Sequence, residues 1–504
     1  MKRRQFVTST LGAAVASVVR PAAAARNADR LQMPDLIDAR QSGGFALSAK
    51  RGRHVFAQGL SGATLGYSTS YLGPVVRVGR GEIAAAIENG TDETITTHWH
   101  GLLVPGDVDG GPHQPIAPGA TWRPVLNIDQ EPATTWFHAH THGETARQVY
   151  AGLAGVMQVV DGRDDERGLP STYGVDDLTL IIQDKRFDRG ELYYARNMHD
   201  TMVGFLGDTV VVNGQVGRTA VVPAGVVRLR ILNASNARIM RFSMASGRPM
   251  HLIATDGGLL PAPLSLQGLS LATGERAEIL ITPTRGDRLL ARSVDNLPMM
   301  GRMSRRDDDS PVFTVLPIAV DESLRARIKR IPDALGAAEP PHDDRQAQSW
   351  EVTLDMGMGM GMGMGGGMGM GGMRGGMGMG GMRGGMGMRG MGGGMNGFAI
   401  NGRAFDMARI DREIERDRSQ IWRVRSSDMR HPFHVHGTRF AVLSMNGVKP
   451  APELRGWKDT VLIDGEAELL MRFRHPASRT RPYMLHCHIL EHEDAGMMAQ
   501  FTVS

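Results

Sequence analysis

The sequence has few of the residues that cross-link small exported domains or anchor a chain in a membrane. Among 504 residues there is a single cysteine, Cys487, which excludes an intramolecular disulfide. No interior run approaches the ~18 uninterrupted apolar residues that a membrane helix needs, and aromatic residues make up only 5% of the chain. We therefore expect soluble domains with no membrane partner, and a lone thiol that a bound metal protects from oxidation.

An excess of positive charge is confined to the N-terminus. Residues 1–25 contain four basic residues and no acidic one. The Arg3-Arg4 pair, a weakly apolar stretch over 11–19 and small residues at 23–25 are typical of a twin-arginine export signal. The remaining chain has 53 basic and 53 acidic residues, a balance that gives no indication of a nucleic-acid partner. We expect a periplasmic protein.

Short runs of β-forming residues, separated by Gly, Pro and Asn turns, dominate the rest of the chain. Val75–Val78, Thr209–Val212 and Ala277–Ile281 are examples, whereas sustained helical periodicity is scarce. This pattern predicts an all-β protein built from Greek-key β-barrels or sandwiches. The length predicts about three domains, which we place at 35–165, 170–320 and 345–504.

One segment of the third predicted domain has a composition of its own. From Met356 to Met395 the chain consists of methionine, glycine and three arginines. Glycine at this density cannot hold a helix or strand unaided. An inert spacer would normally contain serine and other polar residues, whereas thioether sulfur prefers Cu(I). We interpret residues 356–395 as a copper-capturing insertion, with an inert flexible spacer as the alternative.

Ten of the seventeen histidines fall into four short clusters, and the only cysteine lies inside the last one. In a strand, residues i and i+2 share a face while residue i+1 points to the other. Each His-x-His pair therefore directs two imidazoles the same way, and the thiol of His486-Cys487-His488 faces away from its neighbours. This tripeptide would contact two metal sites. The other pairs are His98 with His100, His138 with His140, and His434 with His436.

The remaining two clustered histidines suggest a separate site around the thiol. His431 lies three residues before His434, an odd separation that turns it toward Cys487 if the strand continues. His492 and Met497 follow the cysteine at five and ten residues. Two histidines, one cysteine and a weak axial methionine are the ligands of a blue-copper electron-transfer site.

The motifs THWHG, WFHAH, HPFHVHG and HCHILEHEDAGM resemble the four copper-binding motifs of multicopper oxidases. HGLLVPGDVDGGP and the stretch HAHTHG-x-TARQVYAGLAG further resemble bacterial cuprous oxidases of copper-efflux systems. The resemblance implies three cupredoxin-like domains, four copper ions and reduction of O2 to water. It assigns His431, Cys487, His492 and Met497 to a type 1 copper, His98 and His434 to a type 2 copper, and His100, His138, His140, His436, His486 and His488 to a type 3 pair.

The same resemblance implies roles for residues beside the ligands. It assigns proton supply to Asp109 and Glu493 by general acid catalysis, with ordinary surface carboxylates as the alternative. The family does not use the position of His142 as a ligand, although its i+2 spacing from His140 puts it on the same nominal face. We expect His142 to lie next to the ligands without binding copper itself.

The electron donor is less tightly constrained by the sequence. Cuprous oxidation is favoured by the insertion and by two segments that resemble the family's substrate-copper site. The match is imperfect, because only two residues separate Asp428 from His431 and because Trp350 stands where a methionine is expected. The candidate residues for substrate Cu(I) are Asp355, Met356, Met358, Asp428 and Met429.

Two other functions fit the same motifs. A laccase-like oxidase of phenols or other organic donors would use the same coppers and differ only in what reaches the type 1 site. A copper-binding cupredoxin protein without catalysis is the third possibility, although such proteins lack some of the ligands. We expect a monomer, because three domains in one chain are enough to close a site between the first and the third.

Overall fold

A computed structural model describes residues 18–19, 29–295, 310–341, 343–344, 346–356 and 397–504. Strands predominate, and the predicted all-β class with cupredoxin-like domains is confirmed. In these ranges no helix has the length and apolar character needed to span a bilayer. Apart from Val18–Val19, the predicted export signal lies outside the described residues, as do Met358 and the rest of the insertion beyond Met356.

The N-terminal part of the chain forms eleven strands and one helix. Two sheets face each other here: one has the order β1-β2-β5-β11-β10-β7, and the other contains β3, β4, β6, β8 and β9. The strands are β1 (Val18–Val19), β2 (Leu36–Asp38), β3 (Gly44–Ala57), β4 (Leu60–Tyr67), β5 (Val75–Val78), β6 (Gly81–Asn89), β7 (His98–His100), β8 (Thr121–Trp122), β9 (Val125–Ile128), β10 (Ala133–His138) and β11 (Ala154–Val159); a 3-10 turn spans Gly106–Val108, and α1 spans Thr145–Ala151.

The middle part contributes twelve strands. One sheet has the order β15-β23-β22-β17-β20, and the other continues the second N-terminal sheet through a β13–β4 pairing. The strands are β12 (Asp177–Asp188), β13 (Glu191–Tyr193), β14 (Thr209–Val212), β15 (Ala220–Pro223), β16 (Val227–Asn233), β17 (Ile239–Met244), β18 (Met250–Thr255), β19 (Gly258–Leu266), β20 (Leu269–Leu271), β21 (Arg276–Ile281), β22 (Arg288–Val294) and β23 (Val312–Asp321); α2 spans Met198–Val203.

The C-terminal part forms one eight-stranded sheet whose long strands carry the last two histidine motifs. Its main path is β25-β24-β27-β30-β31-β26, and β29 joins β28 to β27. The strands are β24 (Gln348–Asp355), β25 (Ala399–Ile400), β26 (Arg412–Ile414), β27 (Ser419–Val435), β28 (Phe440–Met445), β29 (Thr460–Arg472), β30 (Tyr483–Cys487) and β31 (Met498–Val503); a 3-10 turn spans Pro452–Leu454, and α3 spans Leu490–Asp494.

Each third of the chain has its own buried core, as three domains require. Trp99 and Phe137 belong to the first core, Phe242 to the second, and Trp422 with Phe433 to the third. The predicted strands at 75–78 and 209–212 have the same bounds in the structure. The domain boundaries at 35–165, 170–320 and 345–504 stay a prediction.

Strand pairing places the histidine motifs side by side. In the first domain β7 lies antiparallel to β10, so that His98 is opposite His138. In the third domain β27 lies antiparallel to β30, which sets His434 opposite His486. The register of β27 against β29 shifts between Ser426 and His431.

Candidate metal centre

Eight imidazoles, from the four His-x-His pairs, converge in the buried interface between the first and third domains. The His98 ring stacks on His436 with centroids 3.8 Å apart, and the His100 ring stacks on His434 at 3.6 Å. All eight histidines are buried. Because each of these stacks joins one domain to the other, the two halves of the site exist only when the domains are docked.

The nitrogen atoms of these histidines form compact groups that could each hold a metal ion. Within a group, one ligand atom from each residue lies within 4.8 Å of the others. The groups are His98 with His100 and His434, His100 with His138 and His488, and His140 with His436 and His486.

Several imidazoles have one nitrogen fixed by an acceptor and the other directed into the cluster. Nδ1 of His98 donates to the Asp109 carbonyl at 3.0 Å, and Nδ1 of His434 donates to the Asp459 carbonyl at 2.8 Å. Nδ1 of His138 is held by the Ala139 carbonyl at 2.8 Å. Their Nε2 atoms are buried, with no hydrogen-bond partner among the described residues. Metal ligation would satisfy these nitrogens, and the fixed tautomer is typical of ligating histidines. The residues therefore fit copper.

His100 has the opposite orientation, and an interdomain ion pair holds it. Its Nε2 lies 3.0 Å from Oδ1 of Asp459, which leaves Nδ1 free toward the cluster. Arg276, from the middle domain, donates to the two Asp459 carboxylate oxygens at 2.7 and 2.6 Å. All three side chains are buried. Asp459 thus links an arginine of the second domain to a candidate ligand of the first. The spacing of the motifs gave no indication of Asp459.

We expect Asp459→Asn to weaken both metal binding and the fold. The His100 orientation would lose its charged acceptor, which costs about 10- to 100-fold in metal affinity at comparable sites. Arg276 would lose its two short contacts to a carboxylate and keep only Asp256 at 3.6 Å, a loss of up to about 3–5 kcal/mol in the free energy of unfolding. Copper content by mass spectrometry and urea unfolding measure the two effects. Asp165→Asn, which removes an exposed ion pair to Arg327, is the matched control; equal copper loss in both variants would contradict the role of Asp459.

Burial favours the neutral form of several imidazoles in the cluster. Desolvation, followed by the proximity of other histidines, lowers the pKa of His100, His138 and His434 well below its ordinary value. The pKa of His488 falls to about 3, again mainly through burial. Neutral imidazole is the form that binds a metal, so these four histidines are in the binding form at neutral pH.

Two buried carboxylates contact histidines of the cluster. Oδ2 of Asp109 accepts a hydrogen bond from Nδ1 of His436 at 2.7 Å. Nδ1 of His140 and of His486 face the Glu493 oxygens at 3.3 and 3.2 Å. Burial opposes ionisation of Glu493, but these two histidines outweigh it and lower the pKa of its carboxyl. Both acids are buried, so the surface-carboxylate alternative is wrong.

The cysteine lies on the other side of its strand, in a second group. Nδ1 of His431 is 3.3 Å from the Cys487 sulfur, and Nδ1 of His492 is 3.7 Å from it. Met497 is buried in the same hydrophobic cluster, and its carbonyl accepts the Cys487 backbone N–H at 3.1 Å. Burial raises the pKa of the Cys487 thiol above its ordinary value. A thiolate at this position therefore depends on a bound cation.

Only some of the residues predicted to bind substrate Cu(I) contact one another. Oδ2 of Asp428 accepts the backbone N–H of Met356 at 3.2 Å. The Asp355 carboxylate instead accepts from the Thr353 hydroxyl and the Gly402 N–H, both at 2.9 Å. Met356 and Met429 are each 2% exposed. In the described structure their sulfur atoms do not face solvent.

His142 lies apart from the ligand groups. It is exposed, and its ring packs edge-on against Phe405 with centroids 5.2 Å apart. Its expected place beside the ligands stays a prediction.

Similar proteins cover the whole chain. Three family models, all described as multicopper oxidase, match residues 48–164, 165–291 and 385–504. The cell division protein FtsP of Escherichia coli (strain K12) is 34% identical, over 100% of this chain and 99% of its own. The multicopper oxidase mco of Staphylococcus aureus is 34% identical, over 91% of this chain and 88% of its own.

Among solved structures, the laccase-like multicopper oxidase CueO of Ochrobactrum sp. has a TM-score of 0.81 and 37% identity, covering 94% of this chain and 100% of its own. That enzyme is described as having oxidase activity towards lignin model compounds and lignosulfonate. McoA of Aquifex aeolicus has a TM-score of 0.76 and 29% identity, covering 94% of this chain and 99% of its own.

Proposed function

Because the chain belongs to the multicopper oxidase family, we propose that it is a periplasmic cuprous oxidase that protects the cell against copper. Four Cu(I) ions, one O2 and four protons would give four Cu(II) ions and two molecules of water. The observation that carries this proposal is the convergence of ten histidines and Cys487 into buried groups with free ligand atoms. A non-catalytic copper-binding protein would not need the complete set.

We assign the ligands to four coppers as the resemblance implies. Bound copper would supply the storage of four electrons, which side chains cannot provide. The division is supported by the number of ligand-atom groups, since three all-histidine groups lie between the domains and one group surrounds the cysteine. The type 1 ligands are His431, Cys487, His492 and Met497; the type 2 ligands are His98 and His434; the type 3 ligands are His100, His138, His140, His436, His486 and His488.

The chain itself connects the two groups. His486 and His488 point into the interdomain cluster while Cys487 between them points to the other group, so only a few covalent bonds separate the two sites. Asp109 and Glu493 each contact histidines of the cluster. Both carboxylates are buried, and Asp109 contacts His436 while Glu493 contacts His140. They can hold protons and pass them toward oxygen during its reduction.

Cuprous oxidation is supported by two thioether side chains in the hydrophobic core that contains Cys487. Met356 and Met429 pack in the same core cluster as Cys487, and Asp428 lies three residues from His431. We propose that the insertion delivers Cu(I) to this part of the third domain, because thioether sulfur prefers Cu(I) over other available metals.

Removing residues 357–395 tests the role of the insertion. Asp355 in β24 pairs with Ala399 in β25, so the shortened chain would close a hairpin through a four-residue loop. We expect kcat/KM for Cu(I) to fall about 10- to 100-fold, because a tethered methionine segment raises the local Cu(I) concentration. Oxygen uptake with Cu(I) and with a phenol gives the comparison. The control is a full-length variant in which serine replaces each methionine of residues 357–395. Unchanged Cu(I) turnover in both variants would contradict the proposal.

A laccase-like function is the first alternative. It is supported by the likeness to the Ochrobactrum enzyme, which is described as acting on lignin model compounds. Comparing phenol and Cu(I) turnover with and without added copper separates the two, since a laccase would oxidise phenols efficiently without added metal.

A role in cell division is the second alternative, and full-length similarity to FtsP favours it. It predicts filamentous cells when the gene is deleted and rescue of division by a variant that binds no copper. Rescue of copper tolerance only by the copper-loaded protein would support the oxidase.

A further inference from the structure

His488 differs from other histidines of the interdomain cluster in what fixes its ring. His98, His138 and His434 each have one ring nitrogen held by a backbone carbonyl. Both ring nitrogens of His488 are buried and have no hydrogen-bond partner on another described residue. The orientation of this imidazole in its ligand group with His100 and His138 therefore depends on packing and on the backbone of His488.

The middle domain supplies that packing through the turn between β20 and β21. Gly274 lies in this turn in a left-handed conformation, with φ +83°. A Cβ at this position would lie 2.8 Å from Cδ2 and 2.9 Å from Nε2 of the His488 ring, closer than non-bonded atoms pack. The ring also has His100 and Trp136 as neighbours, with centroids 5.1 and 5.5 Å away. Any side chain at position 274 would have to displace the imidazole.

The same turn holds the backbone of His488 and the ring of a second ligand. The Thr273 hydroxyl donates to the His488 carbonyl at 2.6 Å. Arg276, which follows the turn, donates to both carboxylate oxygens of Asp459, and Asp459 orients His100. Two candidate ligands of one metal group are thus fixed by four consecutive residues of the middle domain.

Buried contacts fix the turn itself. The Gly274 N–H donates to the Asn233 carbonyl at 2.9 Å. The Glu275 carboxylate accepts from the Ala272 N–H at 2.5 Å and from the Lys458 ammonium group at 2.8 Å. Glu275 and Lys458 are both buried. These contacts join the turn to its own domain on one side and to the third domain on the other.

We propose that Thr273 and Gly274 are positioning residues for the candidate copper ligand His488. Together with Arg276 they make the middle domain, which contributes none of the proposed ligands, a determinant of the geometry of the group that contains His488 and His100. The inference rests on the proposed copper ligands and is independent of the identity of the electron donor.

Gly274→Ala tests the steric contact. We expect its Cβ to displace the His488 ring and to lower the copper affinity of this group about 10- to 100-fold, while the blue band of the cysteine group stays. Copper content by mass spectrometry, after dialysis against increasing chelator concentrations, measures the affinity.

Gly286→Ala is the matched control for the strain that alanine introduces at a left-handed position. Gly286 lies in the same domain at φ +78°, with no atom within 4 Å of the position of a Cβ. We expect both variants to unfold at lower urea concentration than the wild type, and only Gly274→Ala to bind copper more weakly. Equal copper affinity in the two variants would overturn the role of Gly274.

Thr273→Val tests the hydroxyl, and Thr273→Ser is its conservative counterpart. Loss of one buried hydrogen bond corresponds to about a tenfold effect. We expect the return of the blue band with O2 to slow by about that factor in Thr273→Val and to recover in Thr273→Ser, while loss of the band with the donor keeps its rate in both. Equal rates of return in the two variants would overturn the role of the hydroxyl.

Crystal structures of the metal-free wild type and Gly274→Ala proteins separate this inference from the proposed function. A displaced His488 ring in the variant would support the steric role even if the wild type took up no copper, a result that would itself refute the proposed function. A ring in the same place in both structures would overturn the steric role.

Discussion

Cys487→Ser should abolish the blue colour of the copper-loaded protein and reduce oxygen uptake to the uncatalysed rate with every donor. A serine hydroxyl is a poor ligand for the soft site that His431 and His492 complete, and the intense visible band of a blue-copper site requires thiolate. The buried thiol is also the link between the two ligand groups, because its sequence neighbours His486 and His488 belong to the other group. Visible absorption, copper content and O2 consumption measure the outcome.

Met497→Leu is the matched control for the cysteine variant. It removes the weak axial ligand, so we expect the blue band to remain and the potential of the site to change. Copper content separates the two ligand groups: Cys487→Ser should lose one copper ion and keep those of the interdomain cluster. A blue, active Cys487→Ser protein would refute the assignment of the cysteine group.

The second large effect is expected at Glu493. Glu493→Gln keeps the shape of the side chain but removes its ability to carry a proton, and positioned acids contribute about 100-fold or more to such steps. The carboxylate faces Nδ1 of His140 and His486 at 3.3 and 3.2 Å. We expect O2 reduction to slow by that factor, while reduction of the blue site by the donor stays fast.

Rapid mixing separates these two steps. Loss of the blue band measures electron transfer from the donor, and its return measures oxidation by O2. Glu144→Gln, at an exposed carboxylate that pairs with Arg147, controls for a general charge effect. A Glu493→Gln variant with normal reoxidation would show that another group supplies the protons. Asp109, which accepts from His436 at 2.7 Å, would then be the next candidate.

The orientation of the histidine pairs could be predicted from the sequence, because the alternation of side chains along a strand is a local property. Residues two apart share a face whatever the rest of the chain does, so the direction of each pair and the reversed direction of Cys487 follow from spacing alone. The predicted strands at 75–78 and 209–212 also follow from local composition, and both have those bounds in the structure. Copper types, by contrast, came from the resemblance to the family.

Two partners of the candidate ligands could not be predicted from the sequence, because they come from other domains. Asp459 and Arg276 hold His100 from 359 and 176 residues away, and the Met202 carbonyl reaches His492 from the middle domain. A hydrogen-bond acceptor can be any carbonyl or carboxylate, so no motif marks it. By itself the sequence determined the all-β class and the candidate metal ligands; only domain docking decided which groups orient those side chains.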